Sequence, residues 1–109
     1  MDSPGGASAP GLLGTWRLLR ADPALDFAPG VSMAFRPGGR LDYAFDVGDR
    51  RQVLHLVYRV EGEVLHTEDP RTSHDVTTRF TFGAGEVLIF DFAGARAWFI
   101  RELAPHPGR

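Results

Sequence analysis

The sequence predicts an all-β protein: an antiparallel up-and-down meander of about eight short strands that closes into a small barrel. Apolar and polar residues alternate along most of the chain, and turn signals rich in glycine and proline recur at short intervals. No segment has the pattern of a long helix. A meander of this length leaves two strand edges without partners, and closure into a barrel removes them. A flattened half-barrel completed by a partner chain is the alternative.

The predicted strands are separated mostly by tight turns, such as Pro37-Gly38-Gly39 and Glu61-Gly62. The segment 21–30 is interrupted by prolines and is therefore predicted as a loop. It has room for a single helical turn at 23–27, for which Asp22 would be the N-cap. The eight strands are predicted at 12–20, 31–36, 40–47, 51–60, 63–67, 75–82, 86–92 and 95–102.

Length and composition restrict the possible functions. The 109 residues fit one domain, predicted at 11–103 between flexible tails at 1–10 and 104–109. The net charge of −2, from 12 basic and 14 acidic residues, argues against a nucleic-acid-binding surface. The absence of cysteine excludes disulfides, zinc–thiolate sites and thiol nucleophiles, and the absence of lysine excludes Schiff-base chemistry. All basic residues are arginine, which we attribute to codon use in a GC-rich genome.

The chain lacks the features of membrane insertion and export. No apolar run approaches the roughly 20 residues that span a bilayer, and the first ten residues lack the basic and apolar parts of a signal peptide. We therefore expect a cytoplasmic protein without membrane or nucleic-acid partners.

A short motif supports the barrel prediction. Gly14-Thr15-Trp16 stands at the start of the first strand and Arg101 in the last. This arrangement resembles the Gly-x-Trp opening and the late arginine of lipocalin-like (calycin) barrels. The resemblance implies structural roles for Gly14, Trp16 and Arg101: the indole closes one end of the barrel and the guanidinium stacks on it as a cation–π pair. His106 lies in a proline-rich tail, so the haem of some relatives is not carried over and no cofactor is expected.

If Trp16 and Arg101 face inward, alternation gives the barrel an aromatic interior. This interior is either a plain packed core or an apolar pocket in which Tyr43 and Tyr58 offer hydroxyl groups to a ligand. An inward His66 would orient a ligand or act as an acid–base group, whereas a histidine at the rim would bond water or backbone. The candidate ligand-binding residues are Met33, Phe35, Tyr43, Tyr58, His66, Phe80, Phe82 and Phe90.

Acidic residues and histidine also cluster around the polar segment 68–75. His74-Asp75 and Glu68-Asp69 have no recognised ligand spacing, so we interpret them as a solvated loop and predict no metal site. Ser73-His74-Asp75 cannot form a catalytic triad, because adjacent residues of a strand point in opposite directions.

The same alternation places apolar residues on the outside of the last two strands. Trp98 and Ile100 point outward if Phe99 points inward, and Val87 and Ile89 lie beside them. Apolar surface of this kind is rarely left in contact with water. We therefore predict a homodimer through this face, with Trp98 as its anchor.

Three functions are compatible with these features. The first is a lipocalin-like barrel that binds a small apolar or aromatic molecule without catalysis. The second is a cofactor-independent cyclase or isomerase of natural-product type, which a resemblance to small barrel enzymes of GC-rich bacteria suggests and for which Tyr43, Tyr58 and His66 would be the assisting groups. The third is a filled barrel that acts as a protein-interaction module.

Overall fold

A computed structural model describes residues 10–102 and confirms the predicted all-β fold, a meander of eight antiparallel strands in a closed barrel. The tails predicted at 1–10 and 104–109 lie outside the described residues, except for Pro10, which begins a short 3-10 helix, Pro10–Leu12. The strands are β1 (Gly14–Ala21), β2 (Ser32–Arg36), β3 (Arg40–Val47), β4 (Arg50–Glu61), β5 (Val64–Asp69), β6 (His74–Gly83), β7 (Val87–Phe92) and β8 (Ala95–Glu102).

Each strand pairs with its neighbour in sequence, and β8 closes the barrel against β1. In this closing pair Trp16 lies opposite Arg101, and the register shifts at a bulge between Leu18 and Arg20. A bulge bends the strand and increases its twist, which helps a sheet to roll up. It also leaves the intervening Leu19 half-exposed.

The barrel has two different ends. We call the closed end the one that carries the 3-10 helix and the turns β2–β3, β4–β5 and β6–β7. The open end carries the long segment 22–31 and the turns β3–β4, β5–β6 and β7–β8. The buried core is Leu12, Trp16, Val31, Met33, Phe35, Leu41, Tyr58, Val60, Leu65, Phe80, Leu88, Phe90, Ala97 and Phe99.

Two local predictions are corrected. The β4–β5 turn is Gly62-Glu63 rather than Glu61-Gly62, and Gly62 takes the left-handed conformation (φ 61°) that such a turn needs. The helical turn for which the segment 23–27 has room does not form. The Asp22 carboxylate accepts a hydrogen bond from the Arg96 backbone N–H at 2.7 Å, so it ties the loop to β8 instead of capping a helix.

Within residues 10–102, no helix has the length and apolar character needed to cross a membrane.

Candidate ligand-binding cavity

Trp16 fills the closed end of the barrel. Its side chain is fully buried, and its indole Nε1 donates a hydrogen bond to the Leu12 carbonyl oxygen at 2.9 Å. The Arg101 guanidinium carbon lies 4.2 Å from the centre of the indole ring, so the expected cation–π contact is present. The indole therefore has both its polar atom and its ring face in contact with protein.

Arg101 also joins the last strand to the residues that precede the first. It donates from Nη1 to the Leu13 carbonyl at 2.6 Å and from Nη2 to the Gly11 carbonyl at 2.7 Å. Its Nε donates to the Glu86 carboxylate at 2.7 Å. Gly14 has a φ of +118°, and a Cβ there would lie 2.7 Å from Nη1 of Arg101. Glycine at this position thus satisfies both the backbone conformation and the close approach of the guanidinium.

Four of the predicted ligand-binding residues pack at this closed end instead of lining a cavity. The rings of Phe35 and Tyr58 meet edge to face at 5.0 Å, and the Tyr58 hydroxyl donates to the Arg36 carbonyl at 3.3 Å. Phe80 contacts Phe82 in the same way at 5.8 Å. Phe82 lies 6.2 Å from the Trp16 ring and is 50% exposed, which corrects its expected interior position.

The open half of the barrel contains a cavity of about 290 Å³. This volume would hold about ten water molecules at liquid density, and it lies near the lower limit of ordinary ligand pockets. The interior of an eight-stranded barrel is either filled by side chains or holds one small ligand, and here it is incompletely filled. The lining residues are Phe27, Met33, Leu41, Tyr43, Leu54, Leu56, Leu65, Thr67, Glu68, Asp69, His74, Val76, Thr78, Phe90, Phe92 and Phe99.

Of the eight predicted ligand-binding residues, Met33, Tyr43 and Phe90 line this cavity. Leu41, Leu54, Leu56 and Phe99 also line it, and alternation from an inward Trp16 and Arg101 predicts an interior position for all four. Phe27 was missed because it belongs to the irregular segment 22–31, where no periodicity reports its direction. Its ring packs edge to face on Phe92 and Phe99, at 6.2 and 6.1 Å, and so covers part of the cavity.

Three hydroxyl groups, those of Tyr43, Thr67 and Thr78, interrupt the apolar lining. Burial raises the pKa of Tyr43, so its phenol stays neutral. Thr78 is only 6% exposed. The hydroxyls of Tyr43 and Thr78 have no hydrogen-bond partner within the described residues 10–102. The Thr67 hydroxyl, in contrast, donates to the Val76 carbonyl at 3.4 Å.

The charged part of the lining lies at the rim, where β5 ends and β6 begins. Asp69 and His74 face each other across this pair, and Glu68 precedes them. Hydrogen bonds from the Arg71 guanidinium and backbone N–H hold the pKa of Asp69 below its usual range. In the part of the chain that the structure describes, no three histidine or acidic side chains come together as a possible metal site.

Of the two positions considered for His66, inward or at the rim, the structure excludes the inward one. β5 points Leu65 and Thr67 into the barrel, so His66 lies on the outer face between them. Its Nε2 is 2.9 Å from the Glu61 carboxylate and its Nδ1 is 3.3 Å from the Thr77 hydroxyl. This contact and the nearby Arg59 lower the pKa of Glu61. His66 is therefore separated from the cavity by the sheet itself.

The predicted apolar face lies on the outside of β7 and β8. Ile89 is paired with Trp98 and Val87 with Ile100, so the four side chains form one continuous strip. All four are partly buried. The Arg20 guanidinium carbon lies 4.2 Å from the centre of the Trp98 ring and covers part of this strip.

The fold and the cavity together define a class: a closed antiparallel eight-stranded barrel that is sealed by a tryptophan and an arginine at one end and hollow at the other. The chain matches none of the known protein-family models, and no curated protein matches it either.

Proposed function

We propose that the protein is a small lipocalin-like barrel that binds one small apolar or aromatic molecule in the cavity of its open end. The observation that carries the proposal is the cavity of about 290 Å³, whose lining is apolar except for a few polar groups. A preformed apolar cavity with few polar groups is the usual form of a small-molecule site. The contact of Gly14, Trp16 and Arg101 supports the lipocalin-like assignment.

The two other functions receive less support. A filled interaction module does not explain a hollow interior. The enzyme hypothesis needs Tyr43, Tyr58 and His66 to come together. Instead, Tyr43 lines the cavity, Tyr58 packs at the closed end and His66 lies on the outside of the barrel. A cytoplasmic location stays a prediction.

Binding is tested by titrating the protein into naphthalene and following the fluorescence of the ligand. Naphthalene has ten non-hydrogen atoms, and at about 0.5 kcal/mol per atom the expected dissociation constant is ~0.2 mM. Leu54→Trp places an indole in the cavity and should weaken binding about tenfold or more. Val53→Trp is the matched control, because Val53 is the preceding residue of β4 and lies on its outer face.

The control should bind as the wild type does. Failure of the wild-type protein to bind naphthalene, or an equal loss in both variants, would contradict the proposal. Native mass spectrometry of the freshly purified protein should also reveal a retained small molecule.

We also propose that the strip of Val87, Ile89, Trp98 and Ile100 pairs two copies of the chain. Its support is the continuity of the strip across two neighbouring strands. Light scattering should give the mass of a dimer for the wild-type protein and of a monomer for Trp98→Arg. Val53→Arg, on a different part of the outer surface, should remain dimeric. A monomeric wild-type protein at high micromolar concentration would contradict this proposal.

A further inference from the structure

The cavity also indicates the chemistry of its ligand. We infer, on the basis of the binding function proposed above, that the ligand is a neutral molecule with an aromatic or alicyclic body and at least one hydroxyl or carbonyl oxygen. That oxygen would hydrogen-bond to Tyr43, Thr78 or both. Three properties of the cavity lead to this inference.

The first is the pair of hydroxyls without partners. Thr78 is more than nine-tenths buried, and its hydroxyl makes no hydrogen bond within residues 10–102. The Tyr43 hydroxyl makes none there either. Buried polar groups are nearly always hydrogen-bonded, and a group left unpaired destabilises the fold. Ligand oxygens in the cavity would supply the missing partner of Thr78, of Tyr43 or of both.

The second is the position of these hydroxyls. β3 carries Tyr43 and β6 carries Thr78, and in an eight-stranded barrel these strands lie almost opposite each other. The strands between them line the body of the cavity with Leu54, Leu56 and Leu65, and the Thr67 hydroxyl of β5 is already bonded to the Val76 carbonyl. A ligand that fills the cavity would therefore contact apolar side chains along its body and a hydroxyl at one edge or both.

The third is the distribution of charge. No arginine among residues 10–102 lines the cavity, and the chain contains no lysine. The one histidine of the lining, His74, lies at the rim, so an anionic ligand inside the cavity would lose its hydration without gaining a cationic partner there. At the rim, the Asp69 carboxylate is already engaged by Arg71 and the neighbouring Glu68 is exposed to solvent, so both offer little to a cationic ligand. The neutral, high-pKa phenol of Tyr43 likewise suits a neutral oxygen as its partner.

The test compares naphthalene with 2-naphthol, which adds one hydroxyl, and with 2-naphthoate, which adds a charge. The double variant Tyr43→Phe/Thr78→Val keeps the shape of both side chains and removes both hydroxyls. We expect the ratio of 2-naphthol affinity to naphthalene affinity to fall about three- to tenfold in this variant. The wild-type protein should bind 2-naphthoate about tenfold or more weakly than naphthalene.

The matched control is Tyr58→Phe/Thr81→Val, which removes a tyrosine hydroxyl at the closed end and a threonine hydroxyl on the outer face of β6. It should leave the ratio unchanged. An unchanged ratio in Tyr43→Phe/Thr78→Val would overturn the role of the two hydroxyls, and equal affinities for 2-naphthoate and naphthalene would overturn the neutrality. Because naphthalene carries no oxygen, its failure to bind would instead contradict the proposed function.

Discussion

The two ends of the barrel use the same kind of residue in opposite ways. At the closed end, aromatic side chains pack on one another and on Arg101, and the buried indole of Trp16 has its N–H hydrogen-bonded. At the open end, Phe27, Phe90 and Phe92 line the cavity instead of packing into a closed core. An aromatic interior therefore does not by itself indicate a binding site. What distinguishes the two ends is whether polar partners and neighbouring rings fill the space between the aromatic side chains.

The largest expected effect concerns stability. Trp16→Ala should lower the free energy of unfolding by about 3–5 kcal/mol, because it removes a fully buried indole and leaves Arg101 without its stacking partner. Phe92→Ala, an aromatic truncation at the open end, should cost roughly 1–2 kcal/mol, because that ring is partly exposed and faces a cavity. Urea unfolding measures both, and Trp98 remains as the fluorophore. Equal losses would show that the two ends are packed alike.

The second prediction separates backbone strain from steric contact. Gly14→Ala at the closed end should lower the free energy of unfolding by about 2–3 kcal/mol, because it adds a clash with Arg101 to the strain of a positive φ. Gly94→Ala is the matched control at the open end: Gly94 has a φ of +103°, and nothing lies within 4 Å of its Cβ position. It should cost only about 1 kcal/mol, from strain alone. Thermal unfolding of both variants gives the difference, and equal costs would remove the steric argument for Gly14.

The smallest expected effect is a pH dependence of stability that arises from Asp42, near the closed end. Hydrogen bonds from His55 and Arg36 hold the pKa of Asp42 below its usual 3.8. A depressed pKa in the folded state stabilises the protein above the unfolded value, and this contribution is lost as the pH falls through the folded value.

Asp42→Asn should therefore lower the free energy of unfolding at pH 7 by less than about 1 kcal/mol, which appears as a slightly lower melting temperature. The variant should also lose less stability than the wild type when the pH falls below 3.8. Asp49→Asn, in the β3–β4 turn at the open end, is the control, because Asp49 forms no ion pair or hydrogen bond with residues 10–102. Its acid profile should follow that of the wild-type protein. Identical profiles for the two variants would mean that the Asp42 contacts contribute nothing measurable.

Much of the fold was predictable because alternation has a clear phase where one face is polar. The strands β3 and β8 were predicted with their observed bounds; β3 alternates without a break, and β8 is bounded by the Ala93-Gly94 turn. In β5 the alternation does not show which residues face inward, because Val64 and Leu65 are both apolar and either could do so. For this reason, the sequence leaves the direction of His66 open between an inward and a rim position.

The cavity was less predictable than the barrel. Alternation shows whether a side chain points inward, but it does not show which end of the barrel the side chain occupies. Phe35 of β2 and Tyr43 of β3 both point inward from adjacent strands, yet only Tyr43 lines the cavity. The ring of Phe27 comes from a segment without any period. Axial height and loop position depend on register and bulges, which a single sequence does not encode in a simple pattern.

The hydrogen bond from Arg101 to Leu13 joins residues 88 positions apart. Every other strand pairing lies between consecutive strands, and most of these are joined by short turns. Only the β1–β8 pairing must bring distant parts of the chain together, so its loop-closure entropy should limit the folding rate. A circular permutant, relinked across its two ends and reopened at the β3–β4 turn, would convert this long-range pairing into a local hairpin. It would preserve the barrel and change the order in which its strands assemble.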